Sequence, residues 1–143
     1  MLVKQISVFL ENKKGRLALL TKVLGDNDID ITALSIADTT NFGILRAIVN
    51  KPEEAVCVIR EAGFTVNTTE VLAVQVPDCP GGLAGVLAIL EKADISIEYL
   101  YSFVRTPCEN ALILFRVEEP ENAIQVLRDE HIRILSQEEV YSL

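Results

Sequence analysis

Three cysteines, Cys57, Cys79 and Cys108, and a single histidine, His131, are the residues best suited to metal, thiol or proton chemistry. Their spacing argues against each. No CxxC or HxxH pair occurs, so a zinc site built by the protein alone lacks ligands. An odd number of widely spaced cysteines would leave one thiol over from any disulfide framework, and all three are read as reduced. Cys79 precedes Pro80 in a loop open enough for oxidation, but no base or resolving cysteine stands near it in sequence, so it is read as inert. His131, near a helix end, suits a macrodipole contact better than catalysis. GxSxG, HExxH, GxxxxGK[ST] and a GxGxxG following a strand are all absent. The Pro80-Gly81-Gly82 turn is too short and proline-led to cradle a dinucleotide. No catalytic residue, metal or cofactor is expected, and an enzyme would have only fold analogy behind it.

The elements that could position any other chemistry come from 143 residues, of which 50% are apolar, enough for a substantial core and too many for a disordered chain. No uncharged apolar run reaches the roughly 18 residues that cross a bilayer. A net charge of -8 would repel a phosphate backbone at long range, which disfavours nucleic acid. Met1-Leu2-Val3-Lys4-Gln5 moves straight into an alternating pattern without the features of a signal peptide, so a cytosolic protein is expected, with no membrane partner.

The sequence reads twice. At an offset of 66, Gly15-Arg16-Leu17-Ala18 lies on Gly81-Gly82-Leu83-Ala84, and Asp28-Ile29-Asp30-Ile31 lies on Asp94-Ile95-Ser96-Ile97. A connector two residues longer in the second half shifts the offset to 68, and Pro52, Ala55, Val58 and Arg60 then fall on Pro120, Ala123, Val126 and Arg128.

Within the first copy, residues 3–10 alternate loosely, as a strand does. Leu17, Leu20, Val23 and Leu24 recur at helical steps and predict a helix over 15–27. Residues 29–37 and 42–49 read as a hairpin around Asp38-Thr39-Thr40-Asn41. Pro52, Glu53 and Glu54 open a second helix that Gly63 stops, and residues 64–68 form a fourth strand. The fold class is therefore α+β: two ferredoxin-like βαββαβ units in tandem, over 1–68 and 69–143, each an antiparallel sheet with its helices on one face. A unit of about 70 residues supplies only about 3 to 5 kcal/mol from its own core, so the two are expected to associate. Thr69-Glu70-Val71-Leu72 passes from one to the other without a flexible linker.

Apolar parity switches between Ile31 and Leu34, and again between Ile97 and Leu100, which predicts a bulge in each second strand. Tyr99, Tyr101 and Phe103 then share a face where the first copy has Ala33, Ser35 and Ala37. That face is read first as filling a sheet or subunit interface, and otherwise as a pocket or docking surface. The closing segment Glu139-Val140-Tyr141-Ser142-Leu143 aligns with the start of a further first strand and is expected to add a strand.

The run Val8-Phe9-Leu10-Glu11-Asn12-Lys13-Lys14-Gly15-Arg16-Leu17-Ala18, with Ile29-Asp30-Ile31 eleven residues on, resembles the signature of ACT domains. Val76-Pro77-Asp78-Cys79-Pro80-Gly81-Gly82-Leu83-Ala84 with Ile95-Ser96-Ile97 resembles it again. The likeness covers nearly the whole chain and implies a protein built of two ACT domains, a family that binds amino acids and regulates enzymes or transcription at domain interfaces. It implies ligand contacts at Asn12, Lys14, Gly15, Arg16, Leu17, Asp30 and Ile31 in the first copy. Their counterparts in the second are Asp78, Pro80, Gly81, Gly82, Leu83, Ser96 and Ile97.

The chemistry suits that placement. The unpaired N–H groups and positive dipole end of a helix N-terminus accept a ligand carboxylate at Gly15 and Arg16, or at Gly81 and Gly82, where glycine lets backbone approach closely. Such a helix end contributes about 0.3 to 1 kcal/mol when exposed and up to about 2 when partly buried. A micromolar to millimolar ligand needs about 4 to 8 kcal/mol, so further hydrogen bonds and apolar burial must be supplied. Asp30 would accept from an α-ammonium group, whereas Ser96 is neutral, which favours the first copy. Leu10 and Val76 stand where some serine-binding relatives are polar, and this leans toward a less polar ligand. Each residue also has a structural reading: Asn12 braces the turn, Asp30 is a solvated strand start, and the glycines serve turn geometry. The expectation is a homodimeric amino-acid sensor acting on a partner enzyme or regulator. The alternative is a ligand-free oligomerisation module on the same scaffold.

Overall fold

The structure, a computed structural model, describes residues 1–38, 41–103 and 110–143. Its elements run β1 (Val3–Glu11), α1 (Arg16–Asp26), β2 (Ile31–Asp38), β3 (Phe42–Val49), α2 (Pro52–Glu61), β4 (Thr65–Val76), α3 (Gly82–Lys92), β5 (Ile97–Ser102), β6 (Ala111–Val117), α4 (Pro120–Asp129) and α5 (Gln137–Tyr141). The chain is α+β and divides into two compact units, Lys4–Thr69 and Glu70–Leu143, the latter also taking in Met1–Val3. Of the expected hairpin turn, Thr39 and Thr40 lie outside the described residues, as do Val104 and Cys108.

In the first unit the strand order is β2-β3-β1, followed by β4, with β3 antiparallel to both neighbours. Ile6, Val8 and Leu10 of β1 and Leu45, Ala47 and Val49 of β3 alternate onto one face. Leu20 and Leu24 of α1 and Ala55 and Ile59 of α2 close over them as a single core. The second unit repeats this with β4-β6-β5. Its core joins Leu72, Val74 and Phe115 to Val86 and Leu90 of α3 and Leu127 of α4.

The repeat extends to the ends of the helices. Gly15 (φ 88°) and Gly81 (φ 85°) precede α1 and α3 in the left-handed region, and Asp28 (φ 56°) and Asp94 (φ 58°) close them. Gly63 (φ 91°) and His131 (φ 60°) close α2 and α4 in the same way. After each closing residue the next N–H turns back to the helix, as Ile29 does to the carbonyl of Leu24 at 3.0 Å and Ile132 to Leu127 at 2.9 Å. Ile29 is thereby engaged by the helix it follows, so β2 begins at Ile31 rather than at Ile29.

Register shifts between Ile31 and Ala33 and between Ile97 and Tyr99 are the bulges expected from parity. On β5, Tyr101 and neighbouring Phe103 are buried and Tyr99 half-buried. Among the described residues the large exposed apolar side chains lie instead in the first unit, at Phe9, Leu17, Leu19, Leu34, Ile36 and Phe42, and at Met1.

Two expectations change in the second unit. Its last strand shrinks to the bridge Val74–Ile134, held by Gln75 N–H to Arg133 O at 2.9 Å and Leu135 N–H to Ala73 O at 2.8 Å. The closing segment is not a strand. Ser136 accepts from the Glu139 N–H at 3.2 Å while Glu139 accepts from the Ser136 N–H at 2.7 Å, a capping box that starts α5 and buries Val140.

Candidate functional site

In the first unit β1 ends at Glu11, and the chain turns into α1 through Asn12-Lys13-Lys14-Gly15. Asn12 N–H donates to Asn41 O at 3.0 Å, and Lys13 N–H to Glu11 O at 2.7 Å. Gly15 adopts a conformation that costs an ordinary residue roughly 1–2 kcal/mol, and no side chain caps the helix that follows. The N-terminal dipole of α1 is therefore unanswered by a cap. Lys14 and Gly15 are exposed on the turn.

Beneath the turn is a recess of about 170 Å³, lined by Leu10, Glu11, Asn12, Lys13, Arg16, Leu17, Ile36, Asp38 and Gly43. At about 30 Å³ per molecule that is the volume of roughly six waters. The strand register explains its position. Gly43 of β3 is opposite Leu10 of β1 and Asp38 of β2, all three on the face that carries the helices. A missing side chain at the centre of three strands leaves a hollow under the first turn of α1. Leu17, expected on the buried stripe of α1, rims this hollow and is 40% exposed.

Charge in the recess is balanced. Lys13 pairs with Glu11 at 2.8 Å, and this hydrogen bond, then the Lys13 charge and to a smaller degree Arg16, hold the Glu11 carboxyl below the usual carboxylate range. Arg16 stacks 4.3 Å over the Phe64 ring, and its buried Nε has no hydrogen-bond partner. Asp38 supplies a second carboxylate. Leu10, Leu17 and Ile36 supply the apolar part of the lining beside these charged groups. Among the described residues no group of three His, Cys, Asp or Glu side chains gathers as a metal site would require.

Of the expected ligand residues in this unit, Asn12, Arg16 and Leu17 line the recess, and Lys14 and Gly15 lie on the turn. Asp30 and Ile31 are at the opposite end of β2. Asp30 N–H donates to Asn50 Oδ1 at 2.9 Å, and Ile31 pairs with Val49. Seven strand steps from Ile31 to Asp38 cover about 23 Å, so Asp30 cannot reach a ligand held at Asn12 in its own unit. The recess adds Leu10, Glu11, Lys13, Ile36, Asp38 and Gly43 to the candidate set. Asp38 and Gly43 escaped sequence reading because their juxtaposition comes from strand pairing, which no local spacing reveals.

In the second unit Asp78, Pro80 and Gly81 are exposed on the turn and Gly82 and Leu83 half-exposed at the start of α3. Gly82 N–H donates to Cys79 O at 3.0 Å. Ser96 and Ile97 line a separate hollow of about 250 Å³ with Leu87, Glu91 and Asp94, again at the far end of the second strand.

The family model described as an ACT domain pair matches residues 1–143. A crystal structure of protein BT0572 from Bacteroides thetaiotaomicron is 40% identical in sequence, with a TM-score of 0.93 over 100% of this chain and 98% of that one. The regulatory subunit of aspartate kinase from Thermus thermophilus in its ligand-free form is 15% identical, with a TM-score of 0.63 over 88% of this chain and 91% of that one. That from Thermus flavus is 12% identical, with a TM-score of 0.60 over 88% and 90%. These two share the fold. No curated protein matches the chain.

Proposed function

The chain belongs to the ACT domain family as a pair spanning all its residues, and from that premise we propose that it is a non-catalytic regulatory protein that binds an amino acid in the recess of its first unit. The observation that carries the reading is the recess itself. Arg16 and an uncapped helix start would receive a carboxylate, Asp38 would accept from an ammonium group, and Leu10, Leu17 and Ile36 make the lining partly apolar. The apolar wall favours an aliphatic ligand over serine.

Binding can regulate only if the ligand's affinity differs between two arrangements of the protein, since equal affinity shifts no population. The regulated party is a separate enzyme or regulator in the cytoplasm, and the protein works as a homodimer. Calorimetry of the intact chain against each of the twenty amino acids tests the reading: saturable heat for at least one supports it, and silence from all at millimolar concentration overturns it.

An oligomerisation role without ligand is the second reading, favoured by exposed Phe9 and Phe42, 46% and 53% accessible. Light scattering of the intact chain and of a Phe9→Ser, Phe42→Ser variant weighs it. A dimer that dissociates in the variant, with no heat from any amino acid, would favour the scaffold.

A further inference from the structure

Resting on the amino-acid reading above, we propose that Gly43 and Asp38 are the specificity-determining pair of the recess, and that they confine ligand binding to the first unit, one molecule per chain. Gly43 holds the central position of the floor, between Leu10 and Asp38 on the flanking strands. A Cβ placed there would stand 3.6 Å from Ile36 Cγ2, 3.7 Å from Ala37 O and 4.0 Å from Asp38 Oδ1. These are ordinary contact distances, and the backbone of Gly43 is not left-handed, so nothing in the fold forbids alanine. What alanine would take away is space in the recess, beside the carboxylate.

The second unit carries that change already. Val76 pairs with Ala111 as Leu10 pairs with Gly43, so the counterpart of Gly43 bears the methyl group. The sequence counterpart of Asp38 at an offset of 66 is Val104, which has no charge. One substitution narrows the floor, and the other leaves no carboxylate at the matching place in the sequence. The ligand class follows: a compact α-amino acid whose free ammonium pairs with Asp38 and whose side chain is limited by the floor at Gly43, by Ile36 beside it and by Leu17 of α1.

The test is calorimetry on the intact chain with L-alanine, L-valine and L-leucine as a size series, and their N-acetyl derivatives as probes without an ammonium group. The wild type binds at least one of the three at one molecule per chain and none of the acetylated forms. Gly43→Ala weakens that binding at least tenfold, most for the largest side chain, and Asp38→Asn weakens it at least tenfold with an unchanged melting temperature. Should Gly43→Ala fail to fold, Asp38→Asn and the acetylated probes decide the matter. Two molecules per chain, or binding indifferent to both variants, overturns this proposal while leaving the amino-acid reading intact; no binding of any of the twenty amino acids overturns both.

Discussion

The guanidinium of Arg16 lies 4.3 Å above the ring of Phe64, and its buried Nε meets no hydrogen-bond acceptor. Phe64 is a core residue, 5% exposed, so the first residue of α1 is anchored to the start of β4 by a stack worth about 0.5–2 kcal/mol. The stack holds a cation at the rim of the recess. Lysine keeps the charge but loses the planar stack. Arg16→Lys is expected to weaken amino-acid binding severalfold and to lower the melting temperature by a few degrees as the stack is lost, and Arg16→Ala to weaken binding at least tenfold. Calorimetry beside a thermal melt checks both.

Gly15 and Gly82 should respond to alanine for different reasons. A Cβ at Gly15 meets nothing within 4 Å, so Gly15→Ala bears only the left-handed backbone, roughly 1–2 kcal/mol. A Cβ at Gly82 would lie 2.0 Å from Pro77 O. The backbone of the second turn must then move, at a cost of about 1–3 kcal/mol or more. Urea titration of the two variants is expected to place Gly82→Ala at or below Gly15→Ala in stability.

His131 closes α4 where Gly63 closes α2, both left-handed. A helix-closing role requires no imidazole. His131→Gly is expected to raise stability by about 0.5–1 kcal/mol, the gain from relieving the left-handed backbone less the entropy of glycine in the unfolded chain. A higher urea midpoint checks it; a fall would mean that the side chain itself matters.

Three surface carboxyls are held below their ordinary value of 4.5: Glu11 chiefly by its hydrogen bond from Lys13, Glu53 by that from Lys4, and Glu139 by the Ser136 N–H. A depressed folded-state pKa contributes stability that is complete above the unfolded value and lost as pH falls through the folded one. Stability should therefore be level near neutrality and decline below about pH 4.5. Ser136→Ala, which breaks the capping box, is expected to cost about 1 kcal/mol at pH 7 and to fray α5. Melts from pH 7 to pH 3 measure the first, and amide exchange at Val140 the second.

The fold was legible because its signals are local and occur twice. Helical spacing at Leu20 and Leu24, Pro52 at a helix start, and the parity switches at Ile31 and Ile97 each survive into the structure. The C-terminal strand failed on a local signal that outweighed the repeat: Ser136 and Glu139 stand three apart, the spacing of a capping box, and β4 is already bridged by Ile134. The turn half of the candidate site, Asn12 to Leu17, follows from one contiguous motif. Its floor does not, because Gly43 and Asp38 meet Leu10 only through the register of β1, β2 and β3. Asp30 shows the converse, a suitable carboxylate carried by strand direction to the far end of the unit.

The most direct measurement is a nitrogen–proton NMR titration of the intact chain with whichever amino acid gives calorimetric heat, or with L-valine if several do. The expected result is saturable shifts at the amides of residues 10–17, 36–38 and 43, with residues 76–83 and 111 unmoved. Shifts centred on the second turn, or no saturable shift anywhere, would contradict a zwitterion captured beneath the first turn of α1.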